Sequence, residues 1–251
     1  MDEEIKSCDR PVCVFDSGTG GLNLLAACVR ACPERDFIYF ADNYNVPYGN
    51  MSRAHVRELV LDIFARIAKC NPAAAVVACN TVTALCISEL RSMYSFPVVG
   101  IQPAVKQAAG TGGECLVLAT KATAESEAFK NLCSRWLGDR ARVTACGELA
   151  KYIEENIFSY PHMDVSQFLP DCNPSSVVLG CTHYIFVRDF ISEYYKCPVF
   201  DGILGTADHL RLLLGNSHEN SKSKRIIQFK CGDFEKNEQI FNILMNKNYN
   251  D

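Results

Sequence analysis

Short apolar runs alternate with longer amphipathic stretches along almost the whole chain, and the alternation starts afresh near residue 100. Strands separated by helices form parallel sheets covered on both faces. In the first round, strands are expected at Val12–Phe15, Phe37–Phe40, Ala74–Ala78 and Val98–Ile101. The clearest helix is Ser52–Lys69, where Val56, Leu59, Val60, Ile63, Phe64 and Ile67 fall on one face and Ser52 is placed to cap the first turn. Further helices are expected at about 21–31 and from the third strand to about Tyr94. In the second round, strands are expected at Cys115–Ala119, Arg142–Ala145, Ser176–Gly180 and Val199–Phe200, with helices at Thr123–Trp136, Glu148–Phe158 and Tyr184–Tyr195. A helix Leu204–Leu214, a surface loop Asn216–Lys224, a strand Ile226–Lys230 and a helix Phe234–Met245 close the chain. The pattern reads as an α/β protein of two doubly wound lobes with mainly parallel sheets. The last strand and helix are free to rejoin the first lobe, which is then expected to span 1–98 and 206–251, with the second spanning 99–205.

Composition narrows the classes of function. With 48% apolar and 22% charged residues, the 251-residue chain has the balance of a soluble globular protein. A net charge of −4 without a basic patch argues against nucleic acid as a partner. The longest apolar run, Ala73 to Cys79, is seven residues, whereas a membrane-spanning helix needs roughly 20. The acidic start, Met1-Asp-Glu-Glu, is unlike a secretory signal. Fourteen cysteines without a single C-x-x-C exclude the thioredoxin motif and common zinc knuckles. A reducing, cytoplasmic compartment is expected, with most thiols serving as small apolar filler.

In parallel α/β sheets, ligands bind beyond the carboxyl ends of the strands. After the first strand stands Asp16-Ser17-Gly18-Thr19-Gly20-Gly21. Its glycines permit a tight turn, and the following helix start offers backbone N–H groups to an anion, a carboxylate ligand for example. The bland reading is a plain turn. A dinucleotide fingerprint lacks its third glycine, since position 23 is Asn. After the second strand stands Ala41–Gly49, rich in turn formers; its bland reading is a loop, and taken alone it is only suggestive of a site.

After the third strand stands Ala78-Cys79-Asn80-Thr81, and in the second round Gly180-Cys181-Thr182-His183. Each is an apolar strand, a small residue, a cysteine and polar residues opening a helix. A structural cysteine more often sits inside a strand. These two are expected to face a cleft, with helix N-termini lowering their pKa values. A disulfide conflicts with a reducing compartment, and zinc wants three or four ligands where only His183 stands beside either cysteine. A Cys181–His183 hydrolase leaves Cys79 unexplained, and i, i+2 spacing at a helix start does not by itself join the side chains. Two-sided acid/base chemistry remains: one thiolate removes a proton from a carbon while the opposite thiol supplies one to the other face.

Taken together, Asp-Ser-Gly-x-Gly-Gly at 16–21, Pro-Tyr-Gly at 47–49, Ala-Cys-Asn-Thr at 78–81 and Leu-Gly-Cys-Thr-His at 179–183 resemble the glutamate racemases of the cofactor-independent aspartate/glutamate racemase superfamily. Gly100–Pro103, Thr120-Lys121-Ala122-Thr123 and Cys231-Gly232-Asp233 add to the match. The resemblance implies two pseudosymmetric lobes with the active site in the cleft between them. It implies interconversion of L- and D-glutamate without pyridoxal phosphate, metal or other cofactor, supplying D-glutamate for peptidoglycan. Cys79 and Cys181 are the implied catalytic thiols, assisted by Asp16 and His183 respectively. Ser17, Tyr48, Gly49, Asn80, Thr81 and Thr182 are implied to hold the substrate's carboxylates and ammonium, with Asp16 and His183 beside them. Glu154 is a softer match, in a variable segment. A small molecule, glutamate, is the implied partner, and a homodimer is left open.

The chain departs from the family at Gly100-Ile101-Gln102-Pro103, where a Glu-Pro run is usual, and at Tyr184-Ile185-Phe186, where prolines or leucines often follow the Thr-His. Both bear on the fine shape of the pocket. The rival readings are a racemase of aspartate, another small amino acid or a hydantoin, an amino-acid sensor without turnover, and a hydrolase needing Cys181 but not Cys79.

Overall fold

The computed structural model describes residues 10–215 and 226–246. The expected loop Asn216–Lys224 lies outside them. All nine expected strands form, in two fully parallel sheets. The first sheet contains β1 (Val12–Asp16), β2 (Phe37–Ala41), β3 (Ala74–Val77), β4 (Val98–Gly100) and β9 (Ile227–Lys230), in the order β4-β3-β1-β2-β9. The second contains β5 (Cys115–Ala119), β6 (Ala141–Ala145), β7 (Ser176–Gly180) and β8 (Val199–Phe200), in the order β6-β5-β7-β8.

The restarted rhythm has a topological counterpart. If β5 to β8 are set against β1 to β4, the strand orders become identical: 2-1-3-4 in both. β9 is the one addition, joining β2 from the far end of the chain. In such an order the chain reverses direction across the sheet between the first and third strands, which opens a crevice at their carboxyl ends. β1 and β3 flank that crevice in the first sheet, β5 and β7 in the second.

The helices are α1 (Leu22–Ala31), α2 (Arg53–Lys69), α3 (Asn80–Met93), α4 (Val105–Ala108), α5 (Lys121–Glu125), α6 (Glu127–Trp136), α7 (Gly147–Glu155), α8 (Arg188–Tyr195), α9 (Ile203–Leu214) and α10 (Phe234–Asn246). Ser52 caps α2, accepting from the His55 N–H. The expected helix Thr123–Trp136 is two helices, because Ser126 adopts extended backbone and caps the second one through the Phe129 N–H. The expected helix Tyr184–Tyr195 begins as a 3-10 turn, His183–Val187, and becomes α only from Arg188. The short α4 lies in a stretch without clear periodicity.

Both faces of the first sheet are buried, and alternate residues serve different cores. Val12 and Val14 of β1 belong to a core shared with Leu116, Leu118, Val177 and Leu179 of the second sheet, while Cys13 and Phe15 pack on the opposite side with Val60, Phe64 and Ile67 of α2. One apolar core thus runs through both halves, with α1 and α9 within it. Phe64 is fully buried, edge-on to Phe15 with centroids 6.1 Å apart. Phe64→Ala is expected to lower stability by about 3–5 kcal/mol, measured as a lower urea midpoint.

Candidate active site

Cys79 is the N-cap residue of α3, directly beyond the crevice end of β3, and Cys181 follows β7 at the equivalent place. Both thiols line one cavity with Ser17, Tyr48, Gly49, Asn80, Thr81, Thr182 and His183. Every residue expected at the site except Asp16 is in that lining. Asp16 lies just behind it, fully buried at the end of β1, its Oδ2 accepting from the Thr182 hydroxyl at 3.1 Å. The cavity is narrow, about 10 Å³, which admits roughly one water.

The two halves meet at this point without room for further side chains. A Cβ on Gly20 would stand 2.4 Å from the Thr182 hydroxyl oxygen, and one on Gly49 would stand 2.4 Å from the Thr120 Cβ. Glycine is required at both positions by this close approach.

Two of the expected donors of the glycine loop are engaged. The Gly18 N–H donates to Asp16 Oδ1 at 2.9 Å, and the Thr19 N–H donates to Glu154 Oε2 at 2.9 Å. The loop before α1 does receive carboxylates, but they are the protein's own. The donor left over is elsewhere: Asn80 Nδ2 is buried and finds no hydrogen-bond partner among the described residues. A buried unpaired amide costs about 1–3 kcal/mol, and it stands on the cavity wall, where a carboxylate oxygen would satisfy it. Around it, Thr81 Oγ1 lies 3.0 Å from Thr120 Oγ1 and 3.2 Å from Thr123 Oγ1. Tyr48 turns its hydroxyl away, donating to Asp42 Oδ2 at 2.6 Å, and offers the cavity its ring.

The helpers of the two thiols differ. Ser17 Oγ is 3.6 Å from Cys79 Sγ. The expectation that a helix N-terminus lowers the Cys79 pKa is not met: burial, reinforced by the Asp16 carboxylate, pushes this thiol up to about 12. On the other side, His183 Nδ1 lies 3.9 Å from Cys181 Sγ. The 3-10 turn, in place of an α-helical start, brings these i, i+2 side chains together.

His183 Nε2 is 2.8 Å from Glu154 Oε2. Glu154, near the end of α7, is buried and takes four further side-chain or backbone donors: the Thr19 N–H and Oγ1 at 2.9 and 2.6 Å, Asn43 Nδ2 at 3.0 Å and Lys236 Nζ at 2.9 Å. Burial alone would raise the Glu154 pKa, but the bonds and charges of His183 and Lys236 hold it well below the usual carboxylate range. Burial likewise opposes charge on His183, yet its bonds to Cys181 and Glu154 hold its pKa well above the usual value. The site therefore favours the protonated thiol at Cys79 on one wall and the charged form of the imidazole beside Cys181 on the other.

The family model for Asp/Glu/hydantoin racemases matches residues 18–210, a span that includes both cysteines. A glutamate racemase of Clostridium perfringens is 36% identical over 239 residues, covering 90% of each chain. The chain belongs to the Asp/Glu/hydantoin racemase family. It is an amino-acid racemase, an isomerase. Escherichia coli glutamate racemase, in complex with L-glutamate and the activator UDP-MurNAc-ala, superposes on this racemase with a TM-score of 0.78 at 28% identity, covering 94% of each chain. Glutamate racemase of Francisella tularensis in complex with D-glutamate superposes at 0.76 with 25% identity, covering 95% of this chain and 94% of that one. No helix among the described residues is long and apolar enough to cross a membrane.

Sequence reasoning did not place Thr120 in the site, although the Thr-Lys-Ala-Thr run that contains it was visible. Asn43 lay in the loop noted after the second strand but was not assigned a role, and Lys236 carried no local signal; both reach the site through Glu154.

Burial raises the Asp16 pKa to about 6, against the lowering effects of His183, Gly18 and Thr182. A carboxyl that binds its proton more tightly when folded loses stability as pH rises through the interval between its unfolded and folded values. Asp16 is therefore expected to withdraw about 3 kcal/mol of stability between roughly pH 4 and pH 6. Urea melts of the wild type and Asp16→Asn across that interval check this: their stability difference should change with pH there and be flat above pH 7.

Proposed function

We propose that this racemase interconverts L- and D-glutamate by exchange of the α-proton between the thiols of Cys79 and Cys181, without a cofactor. The observation that carries the reading is the pair of cysteines, placed by equivalent strands of two like sheets on one cavity. Relatives that hold L-glutamate and D-glutamate support the choice of substrate. Where the chain serves a wall-building bacterium, the product D-glutamate supplies peptidoglycan.

Racemisation needs one thiolate and one thiol at once. Burial and Asp16 keep Cys79 protonated, so Cys181 is the base that acts first, with the His183 imidazolium balancing its charge. Cys181 takes the α-proton from one face, leaving a carbanion whose charge spreads into the adjacent carboxylate. Cys79 gives its proton to the opposite face. The thiol and thiolate have then exchanged places, and the reverse reaction starts from that state. Two such coupled thiols titrate as a pair. Because no cofactor spreads the negative charge, fixed donors must stabilise it, each worth about 2.7–4 kcal/mol. Asn80 Nδ2 is the foremost of these, with the Thr81 and Thr182 hydroxyls. Asp16 assists Cys79, and Ser17, Tyr48 and Gly49 shape the pocket.

Glutamate has ten non-hydrogen atoms, far more than the cavity admits as it stands. The lobes 1–98 with 206–251 and 99–205 therefore part to admit substrate and close over it, excluding water from the carbanion. The test is chiral chromatography of the purified protein incubated with L- or D-glutamate, and separately with L-aspartate. Both glutamate enantiomers should reach a one-to-one mixture and aspartate should not. Cys79→Ser and Cys181→Ser should each lose at least about 1,000-fold in kcat, the scale seen on removing one member of a catalytic pair, with unchanged circular dichroism. A Cys79→Ser variant that keeps near-normal turnover would remove the two-base reading.

A further inference from the structure

Glu154 Oε2 meets His183 Nε2 at 2.8 Å, and the charge that meets its other oxygen comes from far along the chain, at Lys236. Lys236 stands in the first turn of α10, which Asp233 anchors by accepting the Lys236 N–H at 3.0 Å. Its ammonium donates to Glu154 Oε1 and to the Glu154 carbonyl oxygen, both at 2.9 Å. Asn43 completes the junction: its Nδ2 donates to Glu154 Oε1, while its Oδ1 accepts from Asn237 Nδ2 at 2.9 Å and from the Asp233 N–H at 3.2 Å. The Glu154–His183 pair is almost wholly buried, with side-chain exposures of 6% and 3%, and Lys236 is shielded to 19%. This ion chain is therefore far less screened than the surface pairs of the molecule.

We propose that Lys236 is a positioning residue for the reaction: through Glu154 it fixes the His183 ring against Cys181, so that the proton-handling wall of the second sheet is completed only when the C-terminal helix is docked.

This inference rests on the role given above to His183. The geometry supports it in two ways. Glu154 Oε2 faces His183 Nε2 and leaves Nδ1 to Cys181, so the rotation of the carboxylate sets which ring nitrogen meets the thiol. The other oxygen, Oε1, is held by Lys236 and Asn43, and without Lys236 the carboxylate loses its one cationic anchor on that side. The groups facing His183 are Cys181 and Thr182 of its own segment, Asp16 at the end of β1, Glu154 of α7 and, behind Glu154, Lys236 of α10. Among these Lys236 is the sole cation. It repels a protonated His183 and weakens Glu154's pull on it. Its removal should raise the His183 pKa further and free the ring to turn away from Cys181.

The test compares Lys236→Met, Lys236→Arg, His183→Asn and the double variant Lys236→Met/His183→Asn in the full chain. Lys236→Met should lower kcat by about 10- to 100-fold, the scale of a small misplacement at a reacting centre, with a smaller change in KM. The alkaline limb of its kcat/KM profile should move to higher pH, while the substrate's own ionisation is common to all variants. Lys236→Arg, which keeps the charge, should restore both rate and profile. In the His183→Asn background, Lys236→Met should bring no further loss. A fall in kcat with an unshifted profile, or independent losses in the double variant, would reduce Lys236 to a structural tether and overturn the proposal. An active, wild-type-like His183→Asn would instead remove the role of His183 and this inference with it. An inactive His183→Asn beside a wild-type-like Lys236→Met removes the Lys236 proposal alone.

Discussion

Two carboxylates buried where the two sheets meet hold the site together. A buried anion is costly unless donors surround it, and neither Asp16 nor Glu154 finds enough donors within its own half. Asp16 takes one from its own loop and one from Thr182 across the cleft. Glu154, on a helix beside the second sheet, takes donors from Thr19, Asn43 and Lys236 on the first side as well as from His183. The closed arrangement is what satisfies both groups, and the same contacts set the charges around the thiols. Asp16, with neutral donors, is pushed toward its protonated form, whereas Glu154, with two cations, is held ionised.

The duplicated topology explains why two thiols face one cavity, and the departures from symmetry explain how they differ. Identical strand orders bring β3 and β7 to equivalent crevices, so Cys79 and Cys181 arrive by the same route. What surrounds them is unlike: a hydroxyl and a carboxylate on one side, an imidazole backed by an ion chain on the other. The cavity thus has one wall biased toward the thiol and another beside an imidazole biased toward its charged form. The added strand β9 and helix α10 have no counterpart in the second half, and they supply the cation at the end of that chain.

The strands were legible because burial on both faces leaves near-continuous apolar runs, as at Val12–Phe15 and Ser176–Gly180. The paired cysteines were legible because each follows such a run and precedes polar residues. The pKa of Cys79 was not. A helix terminus contributes about 0.3–1 kcal/mol at most surface sites, less than one pKa unit, whereas full burial moves a group by up to about 3–5 units. Position on α3 was readable from sequence; the depth of burial was not. The Glu154 junction was hidden for a different reason, since its partners at 19, 43, 183 and 236 are scattered along the chain and share no motif. The break at Ser126 and the 3-10 turn at His183–Val187 fall where capping and tertiary packing override an otherwise continuous helical pattern.

Two different thiols are proposed to serve the two faces of the α-carbon. The most direct measurement is mass spectrometry of each separated enantiomer in the first few per cent of reaction, starting from protiated L-glutamate in deuterated water. Two bases predict that the newly formed D-glutamate carries one deuterium at the α-carbon while the remaining L-glutamate stays protiated. Protium carried into the D-product would instead show a single base passing the same proton across, and would contradict the account.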